Sequence, residues 1–226
     1  MDHAFGLDIP LTLGEVCHPQ RTALIVYDMQ VGIVSQIADG HQVVERVRGV
    51  LEAARSGGYR VFFTRHMSLP NEVAGVIQLR TAMAWQHVDH VDEVKPTFLR
   101  DTPGFQIASE IAPLASEGVI DKITMSAFEG TFLDIAFRDC GINSFVIAGI
   151  ALEVGVEPTV RQGMDLGYIP VLVTNACGHG NSAAAQRSLA ALAFAGGSIQ
   201  CDCGAINEVL RRSSEQRGVG QALRTG

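Results

Sequence analysis

Short continuous apolar runs alternate with longer amphipathic stretches along this chain, the pattern of repeated strand–helix units. "TALIVYDMQ" (22–30) is apolar until its last residues, as a strand buried on both faces would be. Residues 38–56 carry a helical period that the Gly57–Gly58 pair stops, and "YRVFFTRHM" (59–67) reads as a second strand. Residues 68–103, with Pro70, Pro96 and Pro103, hold no steady period beyond one helical piece near 73–85. So long an excursion from the strand–helix rhythm points to a functional segment. Beyond it the pattern predicts a helix over 104–114, a strand and loop over 119–128, and a glycine-capped helix over 131–141. "SFVIAGIA" (144–151) and "IPVLVTNA" (169–176) predict two more strands around a helix at 154–166. A helix over 180–195, a short strand near 198–203 and a helix over 205–212 complete the series.

Six strands alternating with helices imply one α/β domain over 1–226, a three-layer α/β/α arrangement around a six-stranded, mainly parallel sheet. Residues 1–20 form an N-terminal arm in this reading and 213–226 a loose tail. In such sheets ligands bind at the carboxyl ends of the strands, where the strand order reverses. That draws attention to Asp28, His66, the stretch from Lys122 to Phe128, the turn at 149–155, and Asn175 to Cys177.

Composition narrows the class. The 226 residues are 47% hydrophobic, enough for one sizeable core. No segment approaches the ~20 consecutive apolar residues of a membrane span. "MDHAFGLDIPLTLGEV" has no basic stretch before an apolar one, so a secretory leader is not expected and a cytoplasmic protein is. A net charge of −7 argues against nucleic acid or an anionic membrane as partner, while leaving room for a small molecule held by a local cation. Five cysteines, an odd number, read as free thiols, and the Cys201–Cys203 spacing matches no zinc motif.

The strand ends carry the candidate chemistry. Asp28 closes an apolar strand, where an acid is costly to bury unless paired or used. It reads either as a cap on the next turn or as a general acid or base. Lysine is rare in this chain, two residues against fifteen arginines, and Lys122 interrupts a strand period. A lysine so placed calls for a carboxylate partner, and Asp28 is the natural one. His66 alone reads as a hydrogen-bonded structural residue, and "HVDHVDE" (87–93) as a solvated segment with no metal-ligand spacing. Cys140 would end a helix, where the dipole disfavours a thiolate, so Cys177 alone stays open as a nucleophile.

Four segments, "ALIVYDMQ", "TPGFQI", "DKITMSAFEGTFLD" and "FVIAGIALEVGVEPTVRQGMDLGYIPVLVTNAC", together resemble the isochorismatase-like hydrolases, the cysteine hydrolase superfamily, from about residue 20 to about 210. The resemblance implies a Rossmann-like fold and, in most members, an Asp–Lys–Cys triad. The acid corresponds to Asp28 in the D-x-Q pattern Asp28-Met29-Gln30. The lysine precedes the S-A-F-x-x-T pattern of Ser126, Ala127, Phe128 and Thr131, and so corresponds to Lys122. The cysteine position, six residues after Gly149, is Gly155.

Thiolate attack needs the sulfur, so this departure points away from the amidases. It points toward the isochorismatases proper, which also carry glycine there. The reaction implied is hydrolysis of isochorismate to 2,3-dihydro-2,3-dihydroxybenzoate and pyruvate, with Asp28 as proton donor, Lys122 as cation and no covalent intermediate. Glycine at 155 would leave room for the substrate ring. The resemblance also implies a non-proline cis peptide at Ile150–Ala151 that turns backbone N–H groups, Gly155's included, toward an anion. Further substrate contacts would come from Ile150, Ala151, Phe128, and Gln78 and Arg80 of the excursion. No cofactor or metal is expected, and a homodimer or homotetramer is. Two alternatives stand beside this one: hydrolysis of an amide, imide or other small molecule by Asp28-activated water, and a non-catalytic ligand-binding relative.

Overall fold

The computed structural model describes residues 1–222. The arm is a hairpin of β1 (Asp2–Ala4) and β2 (Leu7–Ile9), followed by the single turn α1 (Leu13–Val16), which a Thr12–Glu15 capping box opens. The domain proper then runs β3 (Thr22–Tyr27), α2 (Val31–Val34), α3 (Gly40–Gly57), β4 (Arg60–His66), α4 (Val76–Gln86) and β5 (Gly118–Lys122). Its second half is α5 (Leu133–Asp139), β6 (Ser144–Ile150), α6 (Glu157–Asp165), β7 (Ile169–Gly178), α7 (Ser182–Ala195), β8 (Ile199–Cys201) and α8 (Cys203–Ala222). The expected tail is therefore helical from 213 to Ala222, and residues 223–226 lie outside the described part.

β3 to β8 form one six-stranded sheet in the order β5-β4-β3-β6-β7-β8, every pairing parallel. In this doubly wound arrangement the chain builds outward from β3 in one direction and then returns to add β6 on its other side. The crevice between the carboxyl ends of β3 and β6 is the switch point at which such sheets bind ligands.

Alternation along the buried strands sorts side chains onto two faces. Leu24, Val26, Val146, Ala148, Val171 and Val173 pack with Val43, Val47, Val50 and Leu51 of α3 and with Ile206 and Leu210 of α8. Ala23, Ile25, Tyr27, Phe145, Ile147 and Leu172 pack on the other side with α5, α6 and α7 through Leu133, Phe137, Val160 and Leu192. Apolar residues on both faces explain why the strands read as continuous runs. Among the described residues no helix is long and apolar enough to cross a membrane.

The excursion holds its one helix, α4, near where the period placed it. The helix expected over 104–114 does not form. Two single 3-10 turns, Pro103–Phe105 and Ser109–Ile111, flank an extended piece there. Ile107 bridges to Gln30, Val31 N–H donates to Gln106 O at 2.8 Å, and Ala108 N–H donates to Met29 O at 2.9 Å. The backbone groups that would close a helix are spent on the end of β3 instead, a competition that periodicity cannot register.

Candidate active site

Three strand ends bring one cluster together. β3 delivers Tyr27 and Asp28, β4 delivers Thr64 and His66, and β5 delivers Lys122. The parallel register pairs His66 with Lys122 and Val26 with Phe63, so these side chains reach the same rim of the sheet. Asp28 leaves the strand in the left-handed region (φ 46°), which Asp tolerates better than most residues, and the turn folds its carboxylate back over the sheet edge.

Each carboxylate oxygen of Asp28 has a donor. Lys122 Nζ donates to Oδ2 at 2.7 Å and Thr64 Oγ1 donates to Oδ1 at 2.6 Å, while Thr64 Oγ1 in turn accepts from the Asp28 N–H at 3.1 Å. The lysine also donates to Thr124 O at 3.1 Å and stands over the Tyr27 ring, 4.4 Å from its centroid. Asp28 is 4% exposed and Lys122 3%. A buried pair of this kind survives only when its remaining valences are met, and the threonine, the carbonyl and the ring meet them.

Gln30, the other polar residue of the D-x-Q pattern, is a latch. Its amide donates to His66 O and Phe105 O and accepts from the His66 N–H at 2.5 Å, tying β3, β4 and the excursion together.

The turn after β6 contains the cis peptide Ile150–Ala151, followed by a wide π-type turn over 152–156. Gly149 is indispensable at its entrance: φ is 142°, and a Cβ would lie 2.7–2.8 Å from the Tyr27 backbone C and N. The turn does not open an anion pocket through Gly155. Its N–H donates to Ala151 O at 3.0 Å, and the N–H groups of Val154 and Val156 converge on that same carbonyl.

Gly155 leaves no vacant room either. A Cβ there would stand 2.5 Å from Tyr27 Cζ and 2.6 Å from Cε1, and closer still to the hydroxyl. The space expected for a substrate ring is filled by the phenol of Tyr27, which is 2% exposed and donates to Met125 O. Burial first, and then the Asp28 carboxylate, hold this hydroxyl well above its ordinary pKa, so it stays protonated.

A cavity of about 720 Å³ opens beside the cluster, between the sheet edge and the excursion. His66, Thr124 and Met125 form its inner wall, the last two being the residues whose carbonyls hold Lys122 and Tyr27. Apolar side chains of the excursion, Leu79, Trp85 and Phe98 among them, form the outer one. Gln78 lines this cavity, whereas Arg80 is exposed and stands outside the lining. Phe128 and Ile150 are buried in the core, Phe128 stacked on Tyr168 at 5.5 Å, and Ala151 is half-buried in the turn. A second cavity of about 580 Å³ lies at the opposite, amino-terminal ends of β4 and β5 between Arg55, Arg60 and Glu117, far from this chemistry.

His66 belongs to the site in a way its lone position in the sequence did not announce. Burial pulls its pKa below 6.5, Asp28 opposes that shift and Lys122 adds to it, so the imidazole on the cavity wall is neutral near pH 7. Thr64 and Tyr27 also belong to it without standing out in the sequence; the signal available was a hydroxyl next to the charged or polar end of each strand. Burial pushes the Cys177 thiol up to about 12, which disfavours the thiolate a nucleophile needs. Among the described residues no three His, Cys, Asp or Glu side chains gather in a way that could hold a metal ion.

Comparison with known proteins agrees with this architecture. The sequence model of the Isochorismatase domain matches residues 22–202. Ureidoacrylate amidohydrolase RutB of Acinetobacter baylyi is 30% identical over 175 residues, covering 70% of this chain and 71% of that protein. A solved cysteine hydrolase from Pseudomonas syringae pv. phaseolicola superposes with a TM-score of 0.75 at 22% identity, over 88% of this chain and 96% of the other. N-carbamoylsarcosine amidase from Thermoplasma acidophilum superposes with a TM-score of 0.64 at 20% identity, over 81% and 96%. Similarity at these structural identities speaks to the fold.

Proposed function

This chain belongs to the isochorismatase family and is a hydrolase, and from that premise we propose that it cleaves the enol ether of a small carboxylate such as isochorismate, with no covalent intermediate. The observation that carries the reading is a closed proton-transfer pair, Asp28 and Lys122 at 2.7 Å, beside a turn whose residue 155 has no side chain. Enol-ether hydrolysis suits such a site because it starts with a proton, not with attack by the protein.

Asp28 delivers a proton to the terminal alkene carbon, which becomes a methyl group, and the ether carbon becomes an oxocarbenium ion. That proton comes from the Lys122 ammonium across their hydrogen bond, the Asp28 carboxylate acting as relay, and its transfer leaves a neutral amine beside the carboxylate. Water adds to the cation and loses a proton to the pair. The resulting hemiketal breaks its bond to the ring oxygen, its hydroxyl giving up a proton to become the ketone and the ring oxygen taking one through the pair, which releases the ring alcohol and pyruvate. The cavity lined by His66 and Met125 is large enough for a small ring, though Asp28 and Lys122 stand outside its lining and the substrate must reach them past that inner wall.

A second reading has its own support, the 30% identity to a ureidoacrylate amidohydrolase. In it Asp28 takes a proton from a water that attacks an amide or ureido carbonyl directly. The two are separated by product. Purified protein is incubated with isochorismate, with pyruvate followed by coupled NADH oxidation, and with a panel of ureido acids, with ammonia followed. Pyruvate that disappears with Asp28→Asn supports the enol-ether reading. Ammonia without pyruvate replaces it with the second, and binding of either without turnover overturns both.

A further inference from the structure

Residue 155 faces a space that a neighbouring strand has already filled. The Tyr27 ring lies where a side chain on the turn would have to start, and three contacts hold it there. Its hydroxyl is anchored on Met125 O, its face carries the Lys122 ammonium at 4.4 Å, and β3 holds its backbone against Gly149. The relation also runs the other way. A Cβ at 155 within 2.5–2.6 Å of ring carbons is closer than packed atoms approach, so any residue but glycine there displaces the phenol or the turn.

We propose that Tyr27 determines the reaction class of this enzyme: its phenol occupies the nucleophile's place and obliges residue 155 to be glycine. The turn, the acid and the cation that would serve a nucleophile are all retained, and one aromatic side chain from β3 shuts that chemistry off. Tyr27 is accordingly a positioning residue as well, since the ring under Lys122 Nζ fixes the lysine that reaches Asp28. The inference rests on packing and holds for whichever substrate the site takes.

Five variants test it without a substrate: Tyr27→Val, and Gly155→Cys and Gly155→Ala, each of these two alone and combined with Tyr27→Val. Alone, each lowers the unfolding midpoint by about 5 °C or more, as overpacking of a core does. In the Tyr27→Val background the same substitutions cost at most about 2 °C relative to Tyr27→Val itself, because the space is then free. Iodoacetamide at neutral pH, followed by peptide mass spectrometry, alkylates the introduced thiol at least about tenfold faster in the double variant than in Gly155→Cys, because only there can it sit beside Lys122 in place of the phenol. A merely structural tyrosine would not yield this reactive thiol. Midpoint losses that are additive across the backgrounds, or equal alkylation rates in the two thiol-bearing variants, overturn the proposal. Should those two variants precipitate, the alanine pair alone decides it by the same additivity criterion.

Discussion

Lys122 Nζ sits 2.7 Å from Asp28 Oδ2, with both residues almost entirely closed to solvent although 94 positions separate them in the chain. Neither charge can be removed without stranding the other in a medium that solvates it poorly. Lys122→Met is therefore expected to cost about 3–5 kcal/mol of stability. Asp28→Asn/Lys122→Met together should cost clearly less than the sum of the single losses, since the double variant buries no unpaired charge. Urea unfolding of the four proteins in the cycle measures the coupling, and strict additivity would show that the pair is not formed in solution.

Thr64 is the silent third member. Its hydroxyl gives its proton to Asp28 Oδ1 and takes one from the Asp28 N–H, so it orients the carboxylate. Thr64→Val keeps the shape and removes both bonds. A hydrogen bond to a charged group is worth about 1.5–3 kcal/mol, so the unfolding free energy should fall by roughly that amount. Turnover should fall about tenfold, with KM nearly unchanged, in steady-state measurements on whichever substrate is turned over.

His66 makes the protein sensitive to mild acid. Its folded pKa lies below the ordinary 6.5 because burial, reinforced by Lys122, disfavours the imidazolium more than Asp28 favours it. Between the folded value and 6.5 the unfolded chain binds the proton and the native one does not, so stability rises with pH through that window. Its contribution is full above about pH 6.5 and is lost as pH falls through the folded value. Thermal unfolding from about pH 7.5 down to about pH 5 should show the decline, and His66→Gln should flatten it. An unchanged slope in the variant would assign the acid sensitivity to other groups.

Much of the site was legible because its charges contradict their surroundings. An aspartate closing an apolar strand and a lysine within another are expensive placements, and expense marks them in a single sequence. Gln78 was reachable through the excursion, since α4 forms where the period predicts it and turns this residue to the cavity. Arg80, two positions on in the same helix, is exposed and outside the lining, although Leu79 and Thr81 on either side of it line the cavity. Thr64 and Tyr27 carry no such mark for the opposite reason: a hydroxyl-bearing β-branched or aromatic residue is ordinary in a strand.

The sequence by itself determined the six strands, their burial on both faces and the family likeness, because period, apolar runs and motif order are properties of the linear chain. It also determined that residue 155 offers no nucleophile. Only the tertiary structure decided what stands in that position. β3 places the Tyr27 side chain on the face shared with α6, and its pairing with β6 sets Tyr27 level with Gly149, six residues before Gly155. The wide turn that follows brings Gly155 back against the phenol, while the same backbone folds its N–H groups onto Ala151 O. Occupancy of a space is a property of register and turn geometry between segments more than a hundred residues apart, and no local pattern encodes it.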